Sequence, residues 1–394
     1  MEKTGTIPSG GLGQMDGAAL YSIFNPTGNI TALVENSQNQ VPVPLQPEVA
    51  AEIMRRHPEV EQVGFVSFPK GDGRNGISES CMVNEADGLS GIRMANEADG
   101  LSGICMGDKA VRLPELRMAG GEFCGNASMC AAAYYSYSLR QAGLQEPSEV
   151  LLQVSGAALP VQVNLKRNGE HKWAASIKLP PAKSIETVSL SWEGGRLEQQ
   201  ELRDNQEKQE RQEQHEQQEQ QEQQEQLVQL PLVEMEGISH LIIEQDSPCF
   251  ALKSNPERAS ASLKNWCVAL QVSGLGLMFL ENHGSSIDAD LDKRHGAEVN
   301  FNQISSNEVD FTQISRNEVD LTPLVYIPGS DTLFWENSCA SGSAAVGMMM
   351  AKRIGCKGVS LTMNEPGGIL RVDARPDAGA QLFGNVELNE QLSF

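Results

Sequence analysis

The sequence predicts a strand-rich α+β protein made of two related domains. Three observations carry this expectation. Stretches with strand character outnumber helical ones, the 394-residue length suits two domains with surplus, and one cysteine-centred motif occurs once in each half of the chain. So few helices argue against a doubly wound parallel sheet.

Taken in order, GNITALVE (28–35) and EQVGFVSF (61–68) read as strands, bounded by turn residues and rich in residues that favour a pleated surface. Between them PEVAAEIMRRH (47–57) places proline in its first turn and spaces its apolar residues on one face, which predicts a helix. A second helix is expected directly after Cys124. The strands VQVNLK (161–166), WAASIKLP (173–180), SHLIIEQ (239–245), GLGLMFLE (274–281), LVYIP (324–328) and TLFWE (332–336) follow. A last helix is expected after Cys339. The expected N-terminal domain covers 20–148 and holds Cys124. The C-terminal domain covers 149–394 and holds Cys339, with its final strand free to return to the first domain.

Three stretches read as decorations. NEADGLSGI occurs at 84–92 and again at 96–104, giving a first insertion at 84–104. In the run 198–226 an acid recurs at every third residue among glutamines; it has no apolar face to bury, so a solvated spacer or frayed polar helix is expected. A second repeat, at 298–320, turns FNQIS into FTQIS ten residues later. So few short copies do not build a solenoid. Loop tips are the expected positions, since closure entropy grows only logarithmically with added length.

Composition excludes several classes. With 52 acidic against 30 basic residues and a net charge of −22, general nucleic-acid binding and attachment to an anionic membrane are disfavoured. Most of the acidity lies in the decorations and says little about a substrate. No apolar run reaches transmembrane length, and the first residues, MEKTGTIPSGGLGQ, lack the apolar core of a secretion signal, so a cytoplasmic protein is expected. The eight cysteines form no CxxC pair, which fits neither a disulfide scaffold nor a zinc site. No metal and no cofactor are expected.

The two motifs are GGEFCGNASMCAAAYYS around Cys124 and FWENSCASGSAAVGMMMA around Cys339. In each, a glutamate (Glu122, Glu336) precedes the cysteine, small polar residues follow it, and an alanine-rich apolar stretch comes next. Ser, Asn and Gly before an apolar run mark a helix start, so each thiol is expected at a helix N-terminus. Free N–H groups and the helix dipole stabilise an anion there, either a thiolate or a substrate carboxylate. A carboxylate held between two such termini would set its α-carbon between two sulfurs. One thiolate could take the α-proton while the opposite thiol protonates the other face, inverting the centre. Two similar domains facing each other across a cleft is the simplest geometry for this. Cys130, six residues after Cys124, is expected in the core.

These motifs resemble the diaminopimelate epimerase-like, pyridoxal-independent racemases. FNPTGNITALV (24–34), EQVGFV (61–66), MAGGEFCGNASM (118–129), VSG (154–156), LTPLVYIP (321–328), WENSCASGS (335–343) and EPGG (365–368) occur in the family's order. The EQVGF, EFCGNA and WENSC wording is most similar to the histidine racemase branch, which supplies D-histidine to nicotianamine-like (staphylopine-type) opine metallophores. The resemblance implies two pseudo-symmetric domains, each a bent, mostly antiparallel sheet around a central helix, often in a homodimer. It implies Cys124 and Cys339 as the catalytic thiols. Gly125, Asn126, Ser341, Gly342 and Ser343 then form the helix starts around the substrate carboxylate. Asn29 is implied beside the substrate, Glu336 near the α-amino group, and His240 lining the site.

The sequence departs from diaminopimelate epimerases before the second cysteine. Those enzymes carry a Glu-Arg pair there whose arginine grips a distal carboxylate, whereas PGSDTLFWENSC offers Asp331 and no arginine. A basic or neutral polar side chain fits better, so histidine is the expected substrate and Glu61 the candidate partner for an imidazole N–H. The competing readings are another epimerase of the same fold, a hydrolase using one cysteine, and an inactive relative kept as an interaction protein.

Overall fold

The computed structural model describes residues 20–69, 92–94, 104–106, 109–111, 113–192, 226–282, 318–355 and 357–393. The readings made above for 84–104, 198–226 and the 298–317 part of the second repeat lie almost wholly outside the described residues. The chain divides into two compact units, Met1–Ile177 with Asn385–Phe394, and Lys178–Gly384.

In the first unit β1 (Leu20–Pro26) pairs antiparallel with β2 (Thr31–Glu35), which runs parallel to β3 (Gln62–Ser67). The crossover between these parallel strands is α1 (Gln46–Arg56), which has proline in its first turn and buries Val49, Ala50 and Ile53. A separate small antiparallel sheet comprises β4 (Ile92–Met94), β5 (Ile104–Met106) and β6 (Lys109–Val111). Next, β7 (Glu115–Met118) lies antiparallel to β3 and leads into α2 (Gly125–Gln141). Then β8 (Glu149–Val154) runs parallel to β7, followed by antiparallel β9 (Val161–Arg167) and β10 (Lys172–Leu179). This continuous ladder is why the first unit extends to Ile177, past the 148/149 boundary expected from the sequence.

The second unit repeats the same order of ladders. It opens with β11 (Ser184–Trp192) antiparallel to β12 (Gln226–Glu234), which is antiparallel to β13 (Ser239–Glu244). Helix α3 (Pro256–Leu270) crosses from β13 to the parallel β14 (Leu275–Asn282). Then β15 (Glu318–Ile327) lies antiparallel to β14 and carries the short β16 (Thr332–Trp335). After α4 (Ala340–Ile354), β17 (Val359–Glu365) runs parallel to β15 and is followed by antiparallel β18 (Gly368–Arg375) and β19 (Gly379–Ser393). The end of β19 pairs with β1 in the first unit. The last copy of the second repeat, Glu318–Asp320, is part of β15, paired to both β14 and β17, with Val319 fully buried. Those three residues are sheet and not decoration.

Each sequence-expected strand is present, most within three residues of their expected ends, while LVYIP (324–328) is only the second half of the longer β15 (Glu318–Ile327). The helix α3 escaped the sequence reading. Its signal was available: Asn255 caps it through the Arg258 amide, Pro256 occupies its first turn, and Ala259, Leu263, Trp266 and Cys267 form its buried stripe. The two helices that follow the cysteines are different in kind, buried over most of their surface. Runs of Ala and Gly permit this, because small side chains let strands approach from several sides. In α4 a Cβ on Gly347 would lie 2.8 Å from the Cβ of Ala374 on β18. Among the described residues no helix is long and apolar enough to cross a membrane.

Gly156 follows β8 with φ +74°, and a Cβ there would come within 2.4 Å of the Phe123 amide nitrogen. It therefore fixes the loop that delivers Cys124. Gly156→Ala is expected to cost about 1–3 kcal/mol through left-handed strain and backbone overlap. The measurement is a urea melt: a lower midpoint at unchanged slope is predicted, and an unchanged midpoint would mean the 119–123 loop yields freely.

Candidate active site

The Cys124 surroundings are assembled by the strand-to-helix loop after β7. Ser155 holds that loop, accepting from the Met118 amide at 2.9 Å and donating to the Glu122 carbonyl at 2.8 Å. Cys124 is extended (φ −132°, ψ 116°) and caps α2, its Sγ accepting from the Ala127 amide at 3.3 Å. Ser128 donates to the Cys124 carbonyl through both its amide (3.0 Å) and its hydroxyl (2.7 Å). The expected helix start is thus found, with Gly125 and Asn126 as its first two residues, both buried.

Behind the sulfur lies a run of amides. Cys124 Sγ donates to Gln62 Oε1 at 2.9 Å, and Gln62 Nε2 donates to Thr31 Oγ1 at 2.9 Å and to Asn29 Oδ1. Asn29 Nδ2 in turn donates to Glu61 Oε2 at 2.7 Å. The parallel β2–β3 register, which sets Thr31 opposite Gln62, builds this chain. Asn29 and Glu61 are therefore brought together with Cys124, through a residue the sequence reading passed over. The only available signal for Gln62 was its place beside Glu61. Cys130 lies fully buried one and a half turns along α2 and its thiol is pushed up by burial, as a core residue should be. Glu122 is also buried at its carboxylate, which raises it to about 6.

The Cys339 surroundings share the backbone geometry and differ in charge. Cys339 is extended (φ −127°, ψ 99°), caps α4, and is 5% exposed. Its amide donates to Glu365 Oε2 at 2.5 Å, and the Ser343 hydroxyl donates to Glu365 Oε1. Burial raises Glu365 to about 8 against these two hydrogen bonds. Burial first, then the acids Glu336 and Glu365, push the Cys339 thiol well up, while the Gly342 amide pulls it down. Gly342 is required for space, since a Cβ there would meet Met278 Sδ at 2.2 Å and Cys339 Sγ at 3.2 Å.

His240 on β13 is fully buried, and its Nε2 pairs with Ser341 Oγ at 3.1 Å, while Ser341 Oγ lies 3.7 Å from Cys339 Sγ. Burial alone lowers His240 to about 3, so it is neutral at ordinary pH and reaches the sulfur only through Ser341. Its neighbour Gly276 must lack a side chain, because a Cβ would lie 2.5 Å from His240 Nδ1. The structure thus brings His240, Ser341, Gly342, Ser343 and Glu336 to Cys339. Glu365, in the late EPGG motif, was missed as a site residue because that motif reads as a turn.

Asp331 sits in the exposed β15–β16 turn with φ 49°, and its carboxylate is held by Lys264 Nζ and Tyr326 Oη, each at 3.4 Å. The informative part of that stretch is the arginine it lacks. Among the described residues no three His, Cys, Asp or Glu side chains gather as metal ligands.

In chemical terms, each unit presents a thiol at the start of a buried helix, beside first-turn amides that have no acceptor within the helix. Such amides donate to a carboxylate or stabilise an enolate-like oxyanion, and the adjacent thiol can exchange a proton.

Comparison with known proteins bears on this geometry. The family described as the histidine racemase CntK N-terminal domain matches residues 106–208 and 294–393. A histidine racemase from Fusobacterium nucleatum (strain ATCC 23726) is 23% identical over 247 residues, covering 61% of this chain and 64% of that protein. One from a second strain of the species, ATCC 25586, is 22% identical, covering 60% and 62%. The chain thus spans less than two thirds of the length of these relatives. A Staphylococcus aureus histidine racemase is 40% identical over 55 residues, 14% of this chain and 19% of that protein. Among solved structures, a hydroxyproline epimerase from Agrobacterium vitis gives a TM-score of 0.49 at 11% identity, covering 96% of this chain and 93% of that one. A Bacillus anthracis phenazine biosynthesis protein of the PhzF family gives 0.45 at 9%, covering 96% and 99%.

Glu365 generates a pH prediction. Folded, it keeps its proton to about pH 8; unfolded, it releases it near 4.5. Between these values the folded chain binds more protons, so this group's contribution is fully present below about pH 4.5 and is lost as pH rises toward about 8. Glu365→Gln keeps the shape without the titration. Its thermal midpoint is expected to fall less than that of wild type between about pH 5 and about pH 8. Parallel slopes for the two proteins would contradict the assignment.

Proposed function

Because the chain belongs to the histidine racemase CntK N-terminal domain family, we propose that it is a cofactor-independent amino-acid racemase that inverts histidine by a two-thiol mechanism. The observation that carries this reading is the pair of cysteines, each the N-cap of a buried helix with nearly identical backbone angles. Binding or packing alone gives no reason for two such thiols.

In the proposed reaction the substrate carboxylate takes first-turn amides of the helix starts, Gly125–Asn126 and Ser341–Gly342–Ser343. The α-ammonium group lies by Glu336, whose carboxylate otherwise repels a thiolate at Cys339. One sulfur, as thiolate, removes the α-proton. The electron pair moves into the carboxylate as an enediolate, where the amide donors gain most. The other sulfur, as thiol, delivers its proton to the opposite face. The protein then holds its proton on the opposite sulfur, ready for the reverse reaction until water resets it. The two sulfurs titrate as one coupled pair.

Histidine is favoured over diaminopimelate because no arginine precedes Cys339 between Pro328 and Ser338 to pair a distal carboxylate. Asn29 and Glu61 are the proposed partners of the imidazole. The racemase names of the Fusobacterium and Staphylococcus relatives support the same choice. The remaining parts of the proposal, a cytoplasmic homodimer of two pseudo-symmetric domains serving D-histidine to a nicotianamine-like metallophore, rest on the family resemblance.

Incubation with a panel of L-amino acids in D₂O, with no cofactor added, tests the reading. Deuterated D-histidine is expected from wild type and from neither Cys124→Ser nor Cys339→Ser. Turnover of diaminopimelate alone would keep the two thiols and overturn the substrate. Retained racemisation in either variant would end the two-thiol mechanism.

A further inference from the structure

The Cys124 thiol ends a buried hydrogen-bond chain whose polarity is set at its far end. Asn29 Nδ2 donates to Glu61 Oε2 at 2.7 Å, which fixes the orientation of the Asn29 amide. Asn29 Oδ1 therefore faces inward and accepts from Gln62 Nε2. The Thr31 hydroxyl donates to the Asn29 carbonyl at 3.0 Å, so its oxygen is left to accept from Gln62 Nε2 as well. With its amide hydrogens committed, Gln62 presents Oε1 to Cys124 Sγ at 2.9 Å. Reversing one amide would set acceptor against acceptor.

We propose that Gln62 is a positioning residue that holds Cys124 in its thiol form in the substrate-free protein, making Cys124 the proton donor of the first turnover. The donor role rests on the racemase reading; retention of the proton rests on the hydrogen-bond chain itself. A thiolate would face the lone pairs of a carbonyl oxygen at this distance. Relieving that contact requires the Gln62 amide to turn over, abandoning Asn29 and Thr31. The Ala127 amide opposes the effect from the helix side, at the longer distance of 3.3 Å. The other titratable groups on this side are Glu61, acting through Asn29, the buried Cys130, and Glu122 two residues upstream with Arg117 near it.

The test is iodoacetamide alkylation of Cys124 in the full-length, substrate-free protein, followed by peptide mass spectrometry across pH. Gln62→Ala removes the acceptor and admits water, which can donate to a thiolate; its alkylation midpoint is expected about one pH unit below wild type, a roughly tenfold rise in thiolate at a given pH. Gln62→Glu sets an anionic acceptor against the sulfur, and its midpoint is expected above wild type. Both variants lose the donor bonds to Asn29 and Thr31, so a purely structural role moves both midpoints in one direction. Opposite shifts support the proposal; shifts of one sign, or none, overturn it. Should Gln62→Ala fail to fold, Glu61→Gln replaces it, since an amide at that anchor can donate as well as accept, which lets the chain reverse and lowers the midpoint. Exchange of the L-histidine α-proton in D₂O, measured on the same wild-type preparation, judges the racemase reading separately. Opposite alkylation shifts without exchange would overturn the donor role and leave the protonation state of Cys124 standing.

Discussion

A helix that starts inside a protein must find acceptors for its first amide hydrogens, and here two such helices start at cysteine. Sulfur is a weak acceptor beside the oxygen of Ser, Thr, Asp or Asn, the usual residues at that position. The start of each helix is therefore secured by other groups. At α2 the Ala127 amide still has only the sulfur, at 3.3 Å, and the Ser128 amide and hydroxyl, both donating to the Cys124 carbonyl, hold the cysteine backbone in place. At α4, Glu365 reaches from β17 to accept the Cys339 amide and the Ser343 hydroxyl. Both arrangements spend polar side chains on the backbone and keep the sulfur at the helix start. The burial of both helices, made possible by their Ala and Gly content, depends on these ends being held.

The shared geometry hosts unlike electrostatics. Around Cys124 the buried neighbours form a chain of neutral amides that begins at one carboxylate, Glu61. Around Cys339 two acids, Glu336 and Glu365, raise the thiol, and burial holds the proton of Glu365 to about pH 8. A pair of groups that must be one thiol and one thiolate gains from such asymmetry, because it favours one distribution of the shared proton over the other. An ammonium group beside Glu336 would remove part of the penalty on a Cys339 thiolate. In the proposed mechanism, substrate binding and thiol activation are thereby linked through one acid.

Much of this was legible in the sequence, and the reasons for the remainder are specific. The cysteine motifs announced their helix starts because Gly-Asn and Ala-Ser-Gly-Ser are helix-start residues ahead of apolar runs. His240 was placed at the site by resemblance, but its neutrality follows only from full burial, which no single residue reveals. Glu365 was hidden because a Glu-Pro-Gly-Gly string reads as a turn, while the structure uses its glutamate at the end of β17. Gln62 was hidden by its own neighbour: Glu61 carries the charge that attracts notice, yet the amide touches the sulfur. Asp331 drew notice for the opposite reason, an acid in a motif position that turns out to be a solvated turn residue paired with Lys264. Buried networks are pairwise facts, set by strand register, and pattern within one segment does not contain them.

The central claim is that two different sulfurs handle the two faces of one α-carbon. Its most direct measurement is the early time course of optical rotation for L-histidine in D₂O, with both enantiomers analysed for isotope. Two monoprotic bases predict that the D-product is deuterated from the start while recovered L-histidine stays protiated. The rotation then passes through zero and returns, since the deuterated product reverts slowly. Equal deuteration of both enantiomers at early times, with rotation decaying smoothly to zero, would mean that one base serves both faces and would contradict the account.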